Sequence, residues 1–274
     1  MRPYLTPSFF DPDSPVRAEI GASLTAAYEV RPGMILSGEL RRPFYDTVSD
    51  ATRVSNSVLP RVRTDGVRYA QESDIELTHL TAEYFFRPGE NMYGRLTAGY
   101  LESMFGGVSA EVLWQPVNSR LALGAELNYV KQRDFDMRLG FRDYEVATGF
   151  FSAYYDFDNG FQGQLDVGRY LAGDWGGTVT VNRAFKNGVK VGAFATLTDV
   201  SFEDFGEGSF DKGITIEFPI GYLSGDPSLN TFGQTIRTVQ RDGGARLDIR
   251  NRLYDVTRGY RTPSMEDQWG KFWR

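Results

Sequence analysis

Val16-Arg17-Ala18-Glu19-Ile20-Gly21-Ala22-Ser23-Leu24-Thr25-Ala26-Ala27-Tyr28-Glu29 is apolar at every even position, and its odd positions carry polar and small residues. Side chains alternate across an extended chain, so one face of this segment is wholly apolar. The pattern returns in at least eight later segments. Leu80, Ala82, Tyr84 and Phe86 alternate with His79, Thr81, Glu83 and Phe85; Leu121, Leu123, Ala125, Leu127 and Tyr129 alternate with Arg120, Gly124, Glu126 and Asn128. A long antiparallel sheet with one apolar face can close into a barrel whose outside meets lipid.

Working outward, the alternation predicts strands at about 16–30, 34–42, 78–87, 92–101, 108–116, 119–131, 146–157, 160–171, 174–184, 189–200 and 212–220, with two more at 232–240 and 244–250. Short connections fall at Arg31-Pro32-Gly33, Pro88-Gly89-Glu90-Asn91, Pro116-Val117-Asn118, Asp158-Asn159-Gly160 and Lys186-Asn187-Gly188. The last two are strong hairpin signals, because glycine accepts positive φ. Longer loops lie between them, at 43–77, 102–107, 132–145 and 201–211. The expected fold is all-β: an antiparallel, transmembrane, up-and-down β-barrel of about 12–14 strands, preferably an even number. Residues 1–250 form the barrel on this reading, and 251–274 form a short, partly helical tail packed at the periplasmic mouth. If short turns are periplasmic, the strand at 16–30 runs inward. Residues 2–10 then end a preceding strand, and the barrel needs sequence upstream of residue 1.

The totals agree. Thirty glycines and 14% aromatic residues in 274 favour strands and tight turns over helices. A net charge of −6 argues against a general nucleic-acid surface. The absence of cysteine excludes disulfides and thiolate metal sites. No window approaches the ~18 apolar residues of a membrane helix, which leaves β-barrels open. The N-terminus MRPYLTPSFFDPDSP has no apolar core of a signal peptide.

Periodicity alone does not say which face is outside, since a soluble sandwich buries its apolar face with the same alternation. Aromatics near strand ends on the apolar face favour lipid: Tyr28, Phe86, Trp114, Tyr129, Phe157, Phe161, Trp175 and Phe218. The opposite face mixes both charge signs with hydroxyl and amide groups, as a hydrated lumen requires.

Several longer stretches carry a resemblance. LPRVRTD at 59–65, YLESMFGGVSAEVLW at 100–114, YDFDNGFQGQLDVGRYLAGDWGGT at 155–178, QRDGGARLDIRNRLYDVTRGY at 240–260 and WGKFWR at 269–274 resemble the C-terminal half of the YjbH (GfcD-like) family. The resemblance covers essentially the whole chain. It implies an outer-membrane β-barrel of Gram-negative bacteria, acting in exopolysaccharide or capsule systems. Its partners would be exopolysaccharide, outer-membrane lipid or lipopolysaccharide, and other secretion proteins. Family members are typically much longer and made with a lipoprotein-type signal. The family supplies no enzymatic motif to carry over, so no catalytic residue, cofactor or metal is expected.

The candidate binding residues fall in two groups. Arg53, Arg61, Arg63 and Arg68 cluster in the 43–77 loop. Their guanidinium forks could grip the carboxylates of an acidic polysaccharide or a lipopolysaccharide head group, or pair with wall carboxylates such as Glu39, Glu111 and Glu126. Arg95, Glu111, Arg120, Glu126, Gln162, Gln164 and Asp166 belong to the polar face, together with Arg17, Glu19, Glu39, Arg41, Asn182 and Lys190. They could bind sugar hydroxyls, with Tyr154 and Tyr170 as stacking platforms, or form a self-satisfied ion-pair network in a narrow or plugged barrel. His79 is the only histidine, so a barrel-embedded hydrolase would depend on it; no nucleophile elbow accompanies it. The acidic groups at 11–13, 156–160 and 203–204 lack the full spacing of a calcium loop, and turn chemistry explains Asp158-Asn159-Gly160 better.

Overall fold

The computed structural model describes residues 1–9, 13–52, 55–157, 160–185, 187–205, 209–219, 231–237 and 242–262. Thirteen strands form one sheet, each paired with its neighbours in sequence and each pair antiparallel where registers are given. They are β1 (Arg2–Phe9), β2 (Val16–Arg31), β3 (Met34–Asp46), β4 (Glu76–Gly89), β5 (Met92–Tyr100), β6 (Phe105–Trp114) and β7 (Leu121–Arg133). There follow β8 (Phe141–Asp156), β9 (Phe161–Arg169), β10 (Trp175–Ala184), β11 (Lys190–Thr198), β12 (Asp211–Pro219) and β13 (Thr231–Arg237). Every expected strand from 16 to 220 is present, shifted at its ends by a few residues. Expected positions 220 and 238–240 lie outside the described residues, as do Asp158-Asn159, Lys186 and the tail from 263 onward.

The sheet curls into a nearly closed barrel. Gln234 Nε2 on β13 donates to the Pro7 carbonyl on β1 at 3.3 Å, bringing the two edges together. The described strand number is odd, against the even number expected, so β1 and β13 run in the same direction at this seam. The five short connections expected from the sequence fall at one end of the barrel; the β5–β6 and β9–β10 links, at 101–104 and 170–174, are also short and lie at the other. Gly33 (φ 81°) and Gly188 (φ 90°) take the left-handed backbone that these hairpins require.

The apolar face is outside. Leu24, Leu127, Phe151, Val179 and Leu197 all stand exposed, Leu127 at 69% and Phe151 at 79%. So much exposed apolar surface around a whole barrel suits hydrocarbon rather than water. Exposed Tyr28, Trp114, Phe157 and Phe161 ring the short-turn end, and Tyr129 and Trp175 lie towards the other. Six of the eight aromatics expected near strand ends are thus exposed; Phe86 and Phe218 are half-buried.

The described residues also hold three short helices: α1 (Gly66–Glu72), α2 (Phe202–Phe205) and α3 (Leu253–Thr257), the last followed by a 3₁₀ turn at Arg258–Tyr260. The long loop expected at 43–77 contains α1. The expected strand at 244–250 does not form. Its alternating Ala245, Leu247 and Ile249 are buried inside the barrel, against Val62, Phe105, Val130 and Leu171. A period of two records an extended backbone; it does not require a strand partner.

Candidate functional site

The site is the barrel interior, through which residues 242–262 run from the long-loop end to the short-turn end. At the long-loop end Asp242 accepts from the Arg63 and Thr64 amides (2.8 and 3.0 Å) and from the Thr64 hydroxyl (2.7 Å). Gly244 N donates to Asp174 Oδ2 at 2.8 Å, and Leu171 N to the Ala245 carbonyl at 2.9 Å. At the other end Thr262 N donates to the Val117 carbonyl at 3.2 Å, and Thr262 Oγ1 to Asn118 Oδ1 at 2.8 Å. The segment therefore fills part of the lumen along its length.

Between these anchors lies a charged row. Arg95, Glu111 and Glu126 sit side by side on β5, β6 and β7 in direct register. Arg95 is fully buried, 2.8 Å from Glu111 and 3.6 Å from Glu126. The segment supplies the balancing cations: Arg252 Nε lies 2.9 Å from Glu126, and Arg246 lies 3.0 Å from Asp166 and 3.8 Å from Glu126. Arg95 also donates to the Arg250 carbonyl (2.9 Å), and Glu111 accepts from the Leu253 amide (3.1 Å). Without Arg246 and Arg252, Glu126 and Asp166 would be carboxylates buried with too few partners, which is costly.

Below the row, Tyr254 stacks on Tyr154 with centroids 3.9 Å apart and packs among Leu113, Ala122 and Leu253. Arg261 pairs with Asp156 and donates to the carbonyls of Ser119 and Arg120 (3.2 and 3.4 Å).

The sequence candidates fall into place unevenly. Arg95, Glu111, Glu126 and Asp166 meet in one network. Gln164 joins it by donating to Asp166 at 2.7 Å, and Gln162 lies across from Asn182 in the β9–β10 register. Arg120 sits at the short-turn mouth, away from the network. Tyr170 is buried, its hydroxyl on Thr178 (2.6 Å) and its ring edge-on to Phe150; with Tyr154 covered by Tyr254, neither ring is open for stacking. His79 pairs in register with Glu39, its Nδ1 3.9 Å from Glu39 Oε2 and 3.5 Å from an Arg250 nitrogen.

The loop arginines separate. Arg53 lies outside the described residues. Arg63 is buried against Glu102 at 2.8 and 3.0 Å in a two-point pair. Burial works to lower the Arg63 guanidinium; the Glu102 carboxylate more than offsets this, so Arg63 is raised above its usual range. Arg61 and Arg68 stay exposed, paired within their own segment with Asp65 (3.8 Å) and Glu72 (3.1 Å). None of the three reaches Glu39, Glu111 or Glu126 in a described ion pair. Sequence reasoning missed Arg246 and Arg252. The signal available was an arginine-rich run, RLDIRNR at 246–252, facing a wall rich in carboxylates.

An antiparallel barrel with an apolar exterior and a polar, internally plugged lumen defines the class: a β-barrel of the outer-membrane type. The YjbH family model, "Exopolysaccharide biosynthesis protein YbjH", matches residues 1–259, and the chain belongs to that family. It is similar to the uncharacterized lipoprotein YjbH of Escherichia coli (strain K12), at 38% identity over 264 residues, 93% of this chain. The chain spans only 38% of that relative's length. Among solved structures it is similar to OmpTdeltaL8, a loop-deletion mutant of an outer membrane protein of Vibrio cholerae. The TM-score there is 0.34 at 12% identity, covering 87% of this chain and 91% of that one.

Proposed function

We propose that this chain is a non-enzymatic outer-membrane barrel that guides exopolysaccharide across or along that membrane, working with other secretion proteins. Short turns would face the periplasm and the long loops the exterior. The observation that carries the reading is the uneven cover of the lumen wall. On β5 to β8 the inward polar groups Arg95, Glu111, Glu126, Asn128 and Thr148 are buried by the 242–262 segment and its surroundings. On β10 to β12, Thr178, Thr180, Asn182, Lys190, Thr215 and Glu217 keep partial solvent access. Hydroxyl, amide and paired charged groups of this kind can exchange hydrogen bonds with sugar hydroxyls.

The plug stays in place during passage on this reading. Parting its buried ion pairs would cost about 3–5 kcal/mol for each broken pair. Polymer follows the partly open wall instead.

The test uses the full-length protein in cells and in planar bilayers. Thr180→Trp, which narrows the open wall, should reduce both conductance and polymer secretion. The amide of Asn251 meets Glu83 at 2.8 Å, so a photoreactive benzoylphenylalanine at position 251 can tether the plug to the wall. Tethering should leave passage intact. Loss of passage on illumination, with the unilluminated variant still passing polymer, would show a moving plug and overturn the fixed-plug mechanism. Absence of conductance, with secretion indifferent to Thr180→Trp, would reduce the barrel to a scaffold. His79→Ala should leave secretion unchanged; its loss in a folded variant would favour a hydrolase.

A further inference from the structure

A half-open cavity lies at the long-loop end, outside the plugged lumen, lined by residues from 49–52 and 55–71. Its volume is about 370 Å³, within the ~300–1,000 Å³ range of small-molecule pockets. We infer that this cavity binds a short stretch of neutral, hydroxyl-rich sugar; the choice of ligand class rests on the export reading above.

The lining is more polar than apolar, and its described charges balance: Arg61 and Arg68 against Asp50 and Asp65, with hydroxyls from Ser55 and Thr64 beside Ala51 and Val67. A sugar hydroxyl donates and accepts at once, so it needs both kinds of partner in one place. Arginine forks and aspartate oxygens supply them, while the charges of the described lining residues cancel and give an anionic ligand no net attraction there. The cavity is also held in shape before any ligand arrives. Gln71 Nε2 fastens the Ser49 and Ala51 carbonyls (2.9 and 3.2 Å). Ser55 Oγ donates to Thr64 Oγ1 (2.7 Å), and Arg61 donates to the Ser55 carbonyl (3.2 Å). Arg68 lies over the Phe135 ring, 3.7 Å from its centroid, which fixes the guanidinium at the rim. Beneath, Asp242 of the plug holds Thr64 by its amide and hydroxyl, so the floor is tied to the lumen segment. Preorganisation of this kind lowers the ordering cost of binding.

The experiment is a glycan array carrying neutral and uronate-bearing oligosaccharides, probed with the detergent-solubilised full-length protein. Neutral oligosaccharides should bind. The paired change Asp50→Ala with Arg68→Ala, both at exposed positions that spare the fold, should weaken that binding at least tenfold. Conductance of the same variant should be unchanged, because neither residue lines the lumen wall. Binding of no oligosaccharide, binding untouched by the paired change, or preference for uronates would each overturn the assignment. Loss of the export reading has a different signature: conductance and secretion indifferent to Thr180→Trp, with neutral-sugar binding still present and still sensitive to Asp50→Ala with Arg68→Ala.

Discussion

The two halves of the barrel wall share one sequence pattern and lead different lives. Strands β5 to β9 place Arg95, Glu111, Glu126 and Asp166 inward, where arginines from the 242–262 segment complete their pairing. Strands β10 to β12 also place polar groups inward, but their charges settle locally, with Lys190 opposite Glu217 at 2.8 Å and about a third of each side chain exposed. The covered half has more acid than its own strands can neutralise, and that excess receives the plug. The other half is self-sufficient and stays partly open. Alternation made both walls; charge balance across strands decided which one was covered.

The largest expected effect sharpens this contrast. Glu126→Ala removes the carboxylate that Arg252 and Arg246 share and leaves buried cations short of a partner. It should cost about 3–5 kcal/mol in urea unfolding of the barrel in lipid. A cost near that of a surface pair would mean the plug is not held by charge. Next come substitutions on the outside, where the halves should behave alike. Leu127→Arg on β7 and Val179→Arg on β10 should each destabilise by about 2–4 kcal/mol if both sit near the bilayer midplane. A large difference between them would mean that only part of the exterior meets lipid. Tyr254→Phe keeps the stack on Tyr154 but loses the hydroxyl contacts to Asp156 (3.3 Å) and Arg261 (3.2 Å), so about 1 kcal/mol should go in the same unfolding assay. Smallest of all, Glu217→Ala on the open half should cost less than about 1 kcal/mol, since Lys190 can turn to water. If Glu217→Ala matched Glu126→Ala, the division of the wall into two regimes would fail.

Much of the fold was legible in residue order. The even-position apolar set from Val16 to Tyr28 turned outward as read, and the hairpin glycines sit at positive φ in their turns. The lumen-facing candidates were legible as a face and illegible as a site. Glu111 and Arg95 meet because neighbouring strands hold them in register, 16 residues apart in sequence. Glu126 meets Arg252 across 126 residues, and no local pattern encodes that pairing. Arg63 shows the same limit, since its partner Glu102 sits in another loop and the wall carboxylates proposed for it were already taken.

Sequence by itself determined where the backbone is extended, which side of each strand is apolar and where the hairpins turn, because these depend on neighbours one to four residues apart. Tertiary structure alone decided the fate of residues 244–250. Their alternation matches that of a strand, yet Leu247 and Ile249 gain more by burial against Val130 and Phe105 inside the barrel, while Arg246 and Arg252 complete the neutralisation of Glu126 and Asp166 that Arg95 only begins. Burial and charge neutralisation depend on the closed barrel as a whole, and so they appear only once the barrel exists.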